Sequence, residues 1–100
     1  MDNFRELYKN KKFKVREIEA KYYLFGNGSC YLLNDMGAIV WKYIGKDMMF
    51  DEFIRKVNTK YEDTTPDRIR TDVVSYINFL SSIGAVGNGK ERNNEQCDKL

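Results

Sequence analysis

The chain has no histidine among its 100 residues. Histidine is the commonest general base and metal ligand, and its charge switches near neutral pH. Its absence weakens every reading that needs acid–base catalysis, zinc or a pH switch. Cysteine is almost as scarce. Cys30 and Cys97 stand 67 positions apart, a spacing that fits neither a disulfide framework nor a metal site. No apolar run reaches the roughly 18 residues that a membrane-spanning helix needs. The opening MDNFRELYKNKKFK has no apolar stretch of the kind an export signal carries. Free thiols without an export signal predict a cytoplasmic protein. Asn27-Gly28-Ser29 matches a glycosylation sequon, but without secretion it reads as a turn. No cofactor, metal or membrane partner is expected, and the class left standing is a binding module rather than an enzyme.

What is present is an ordinary globular composition, with 42% hydrophobic and 32% charged residues. The length suits one domain with a single core. The net charge is only +2, too small to imply a nucleic-acid surface by itself. Its distribution is uneven. Residues 1–21 hold seven basic and four acidic side chains, whereas residues 34–86 hold seven and eight. The reading therefore divides the chain into a basic N-terminal arm over 1–12, a domain over 13–86 and a polar, disordered tail over 87–100.

Hydrophobic spacing predicts the elements. Strands are expected at 13–18, 21–25 and 29–33. Asn27-Gly28 joins the last two, because both residues tolerate positive φ in a tight hairpin. A first helix runs from an Asn34 cap to about Ile44 and stops at Gly45. Phe50, Phe53, Ile54, Val57 and Tyr61 then repeat at helical spacing. A third helix starts at Thr65-Pro66 and carries Ile69, Val73, Tyr76, Ile77, Leu80 and Ile83 inward up to Gly84. Ala85-Val86 forms a last extended pair. The expected fold is α+β: a three-stranded antiparallel sheet followed by three helices, in a winged helix-turn-helix-like order.

Few motifs suggest chemistry. Gly84-x4-Gly89-Lys90 nearly spells a phosphate-binding loop, but Glu91 stands where serine or threonine is needed. Cys30 lies mid-strand with no base to activate it. Winged-helix order raises a DNA-binding regulator as the rival reading. Against it, Arg68 and Arg70 of the third helix are balanced by Asp67 and Asp72, and phosphate neutralisation supplies most of such affinity. Peptide binding has a better physical basis. In a three-stranded meander the strand 29–33 has one neighbour, and its open edge offers N–H and C=O groups to a partner strand. One shoulder of the third helix, with Arg68, Asp72, Tyr76 and Phe79, could wall such a groove. The other shoulder carries Val74 and Ile77. The sequence leaves open which one faces the strand, and Tyr76 and Phe79 also suit a plain core role.

Three stretches carry a family resemblance. Leu33-Asn34-Asp35-Met36-Gly37-Ala38-Ile39-Val40-Trp41 resembles the "LN-x-x-G-x-x-x-W" signature of the PqqD-like family. Phe50-Asp51-Glu52-Phe53-Ile54 resembles that family's second helix. Asp72-Val73-x-x-Tyr76-Ile77-x-x-Leu80-x-x-x-Gly84 resembles its "DV-x-x-FL-x-x-L-x-x-x-G" helix. Tyr76 replaces the usual phenylalanine, and Gly84-Ala85-Val86 replaces the usual Gly-Leu ending. These are the recognition elements for ribosomally made, post-translationally modified peptides (RiPPs). The resemblance implies a leader-peptide-binding adaptor without chemistry of its own. It would capture a precursor peptide by strand addition and present it to a modifying enzyme, such as a radical-SAM maturase or a leader peptidase. Mapped onto this chain, the peptide-binding residues are Ser29, Cys30, Tyr31, Leu32, Leu33, Arg68, Asp72, Val73, Tyr76 and Phe79. Gly37 would permit a close approach, and Trp41 would anchor the core.

Overall fold

Two tight turns fold the first half of the chain into a meander. Asn27 and Gly28 both have positive φ, as a two-residue hairpin whose twist matches its strands requires. Glu19 and Ala20 make the same turn one hairpin earlier, at φ 52° and 67°. In the computed structural model, which describes residues 3–88, the strands are β1 (Leu7–Lys9), β2 (Lys14–Ile18), β3 (Lys21–Gly26) and β4 (Ser29–Leu33). Helices α1 (Asp35–Tyr43), α2 (Phe50–Lys60) and α3 (Pro66–Ser82) follow, and β5 (Val86–Asn88) is the last element among the described residues. β2, β3 and β4 form one antiparallel sheet in that order. The fold is α+β, a three-stranded antiparallel sheet followed by three helices.

Local chemistry sets the helix starts. The Asn34 side chain accepts the Gly37 N–H at 2.9 Å, and Thr65 accepts the Arg68 N–H at 3.2 Å. Each satisfies a donor that the first helical turn leaves without a partner. Pro66 sits at the first position of α3, where its missing N–H costs nothing. α3 packs on both α1 and α2, and its inward Ile69, Val73, Ile77 and Leu80 meet Leu24, Leu33, Val40 and Phe53 in one core.

The ends of the domain differ from expectation. Of the arm expected over 1–12, the described part, residues 3–12, packs on the domain. Phe4 is 0% exposed, and its ring lies 4.4 Å from that of Phe50 and 5.0 Å from that of Phe53. A short 3-10 turn over Phe4–Glu6 leads into β1, which pairs antiparallel with β5. The terminal extended pair is longer than expected: Gly87 and Asn88, assigned to the tail, lie in β5. Each segment supplies the other's hydrogen-bond partners, so neither could be an isolated strand. The remainder of the tail, 89–100, lies outside the described residues, and with it the Gly89-Lys90 pair and Cys97.

Candidate functional site

The two-residue turn decides which way the β4 backbone faces. It makes Gly26 and Ser29 a hydrogen-bonded pair, and such pairs alternate along an antiparallel ladder. The next are Leu24 with Tyr31 and Tyr22 with Leu33. Counting from the Glu19-Ala20 turn through the β2–β3 register gives the same assignment. Cys30 and Leu32 therefore turn their N–H and C=O groups outward, away from β3. β4 has no second strand beside it among the described residues, so these groups form an open edge.

The side chains follow the same alternation. Leu33 is buried and Tyr31 half-buried on the core side, whereas Cys30 and Leu32 are exposed on the other face. Ser29 is exposed beside the turn. Tyr31 meets Phe79 of α3 edge-on, with ring centroids 5.6 Å apart. Asn34, just after β4, meets Tyr76 through two hydrogen bonds. The Tyr76 hydroxyl donates to Asn34 Oδ1 at 2.6 Å, and the Asn34 N–H donates to that hydroxyl at 3.5 Å. The choice that sequence left open is settled: the Tyr76–Phe79 shoulder faces the strand. α3 runs counter to β4, since Tyr31 pairs with the later residue Phe79 and Asn34 with the earlier Tyr76.

A cavity of about 450 Å³ opens at this corner, lined by Ala20, Lys21, Tyr22, Leu32, Leu33, Asn34, Asp35 and Tyr76. Leu32, Leu33 and Tyr76 were expected there. The sequence offers Asn34 as a helix cap and Asn34-Asp35 as part of the family signature, and it does not single out Ala20, Lys21 and Tyr22. The signal that could have found them is the antiparallel register, which sets the start of β3 beside the end of β4.

The other expected residues are less close. From the rise of about 1.5 Å per residue, Asp72 lies roughly 6 Å and Arg68 roughly 12 Å from Tyr76 toward the helix start. Both are exposed and lie past the Leu33 end of the strand. Arg68 lines a separate polar hollow with Asp63, Thr64 and Thr65. Val73 is 1% exposed and belongs to the core, so its side chain presents no surface to a ligand. Its helical neighbours Tyr76 and Phe79, half-buried, hold the accessible positions.

The signature residues act beneath the groove. A Cβ on Gly37 would lie 2.6 Å from Tyr76 Cε1, so only glycine lets the Tyr76 ring rest on α1. Trp41 is buried in the core, with the Lys9 ammonium 5.2 Å from its ring centre. Burial, and secondarily the charge of Lys46, push the Lys9 pKa below its ordinary value. Among the described residues no group of acidic or cysteine side chains is placed to hold a metal ion, and no helix is long and apolar enough to cross a membrane.

A family model described as Coenzyme PQQ synthesis protein D (PqqD) matches residues 16–86, more than half of the chain. No curated protein and no solved structure matches it.

Proposed function

The chain belongs to the PqqD family, and from that premise we propose that it captures the leader segment of a ribosomally made precursor peptide on the open edge of β4. One observation carries the reading. Cys30 and Leu32 face outward beside a cavity walled by Tyr76, so backbone donors, acceptors and an aromatic wall lie together. Main-chain pairing would provide affinity, and alternate side chains would set register against Tyr31, Tyr76 and Phe79. Buried aromatic contacts dominate such interfaces. Arg68 and Asp72 would meet only a peptide that continues past the strand, and exposed ion pairs there add about 0–1 kcal/mol each.

The adaptor would present the bound peptide to a separate modifying enzyme, such as a radical-SAM maturase or a leader peptidase. Tethering turns the second encounter into an intramolecular one and raises effective concentration. The protein itself would perform no reaction.

The test titrates the full chain with the leader of the precursor peptide encoded beside it, followed by amide NMR. Shifts are expected at 29–34 and around Tyr76 and Phe79. Leu32→Pro, which removes an outward N–H, combined with Tyr76→Ala should abolish binding. A folded double variant that binds as wild type does would refute strand addition. Binding that collapses with added salt, and that DNA competes for, would favour a nucleic-acid regulator instead.

A further inference from the structure

The three-stranded sheet has a second face, which the groove touches only at the corner of Lys21 and Leu32. Val15, Leu24, Tyr31 and Leu33 turn toward the core, so their strand neighbours turn away from it. The register sets these outward residues in rows. One row is Lys14, Phe25 and Cys30, and the next is Arg16, Tyr23 and Leu32. Ile18 and Lys21 complete the face beside the Glu19-Ala20 turn.

The solvated face of an antiparallel sheet is ordinarily polar. Here Leu32 is 63% and Ile18 46% exposed. The Tyr23 and Phe25 rings lie side by side on the middle strand, their centroids 6.2 Å apart. Lys14 and Arg16 on β2 and Lys21 at the start of β3 flank this apolar centre, and no acidic residue shares the face. Among the described residues the ion pairs are Arg5–Asp47 and Arg70–Asp51, so none of these three cations is in one. A contiguous apolar patch rimmed by one sign of charge marks an interaction surface.

We propose that this face docks an acidic, apolar-centred surface of the modifying enzyme, and this rests on the leader-binding reading above. Charge complementarity selects the partner: three cations without a carboxylate repel basic surfaces and steer acidic ones. Position supports the choice. Leu32 belongs both to this face and to the rim of the groove, and an added strand would lie only about 4.8 Å from β4. An enzyme seated here would adjoin the peptide it modifies. Single-stranded nucleic acid fits less well. The two rings tilt against one another at 37°, and Ile18 and Leu32 provide no π-face on which a base could stack.

The test compares wild type with Lys14→Glu/Arg16→Glu, two surface changes on β2 outside the groove. Circular dichroism checks folding, and the neutral Lys14→Gln/Arg16→Gln chain serves as a milder second variant. Calorimetry measures two affinities for each chain: for the leader peptide, and for the modifying enzyme encoded beside it. Leader affinity should stay within about twofold, while enzyme affinity falls by about tenfold or more and weakens with salt. Equal enzyme affinity for both chains overturns the proposal, as does a leader-loaded wild type that binds no enzyme. A wild type that does not bind the leader is the failure of the earlier reading instead. Oligo-dT of about 15 nucleotides that binds wild type but not the variant assigns the face to nucleic acid. A wild-type dimer that the variant dissolves assigns it to a second copy of the chain. Either outcome overturns the enzyme assignment.

Discussion

A methyl group on Gly37 would meet the Tyr76 ring 2.6 Å away, and that ring cannot retreat without losing Asn34. Asn34 Oδ1 already accepts two bonds, from the Gly37 N–H at 2.9 Å and from the Tyr76 hydroxyl at 2.6 Å. Cap, glycine and tyrosine therefore form one unit. Gly37→Ala should destabilise by about 1–3 kcal/mol through overpacking, read as a lower melting temperature. Tyr76→Phe removes only the hydroxyl and should cost about 0.5–1.5 kcal/mol. In the double variant the two costs should not add, because each disturbs the same contact. Additive losses in urea titrations would mean that the residues act separately. Asn34 as a cap and Gly37 as a close-approach residue were both legible in the sequence. Their shared partner was not, because it lies 42 positions away and local spacing carries no information about it. The same limit explains Val73. Helical periodicity placed it correctly on the inward face, and an inward residue cannot also meet a ligand.

At the scale of the elements, periodicity and turn chemistry carried most of the reading. Strands β3 and β4 and the three helices fall within a residue or two of expectation: Asn27-Gly28 and the caps of α1 and α3 with Pro66 fix ends locally, and apolar periodicity sets α2, which has no side-chain cap. The Glu19-Ala20 turn was less evident, since neither residue favours positive φ. Ala20 at φ 67° carries a left-handed strain of about 1–2 kcal/mol. Ala20→Gly should relieve it and raise stability by about 0.5–1 kcal/mol, part of the gain being offset by the freer unfolded chain. Chemical denaturation measures this, and an unchanged midpoint would mean that the turn is unstrained. Between helices, Arg70 Nη2 lies 2.6 Å from Asp51 Oδ1. That hydrogen bond first, and the Arg70 charge second, hold the Asp51 carboxyl below its usual range; Arg55 adds to this and desolvation opposes it. A depressed folded-state value stabilises above the unfolded value, and the contribution is lost as pH falls through the folded one. Asp51→Asn should therefore lose less stability than wild type on acidification below about pH 4. The difference is small, because both groups are exposed.

For the molecule as a whole, the N-terminal segment is where local reading failed. Four cations between Lys9 and Lys14 dominate its charge and suggest a solvated arm. Phe4, Leu7 and Tyr8 are too few to form a periodic pattern, and their partners are remote. Leu7 pairs with Asn88, and Phe4 donates its N–H to Met48 O at 2.9 Å and accepts from the Gly45 N–H at 3.0 Å. Asn3 completes the latch, its Oδ1 accepting the Met48 N–H at 3.1 Å and its Nδ2 donating to Asp47 at 3.0 Å. The segment thus ties the α1–α2 loop to β5 and covers the aromatic cluster. A domain of this size has roughly 5–15 kcal/mol of stability in all. Phe4→Ala should remove about 3–5 kcal/mol of it by opening a cavity among Tyr43, Phe50 and Phe53. A chain beginning at Phe13 should lose still more and behave as a partly unfolded protein in urea titration and amide exchange. Lys11→Ala and Lys12→Ala, exposed in the same segment, should change stability by no more than about 0.5 kcal/mol. If the shortened chain melted with wild-type midpoint and cooperativity, the segment would be an arm after all, and the core would have to close over α2 without Phe4.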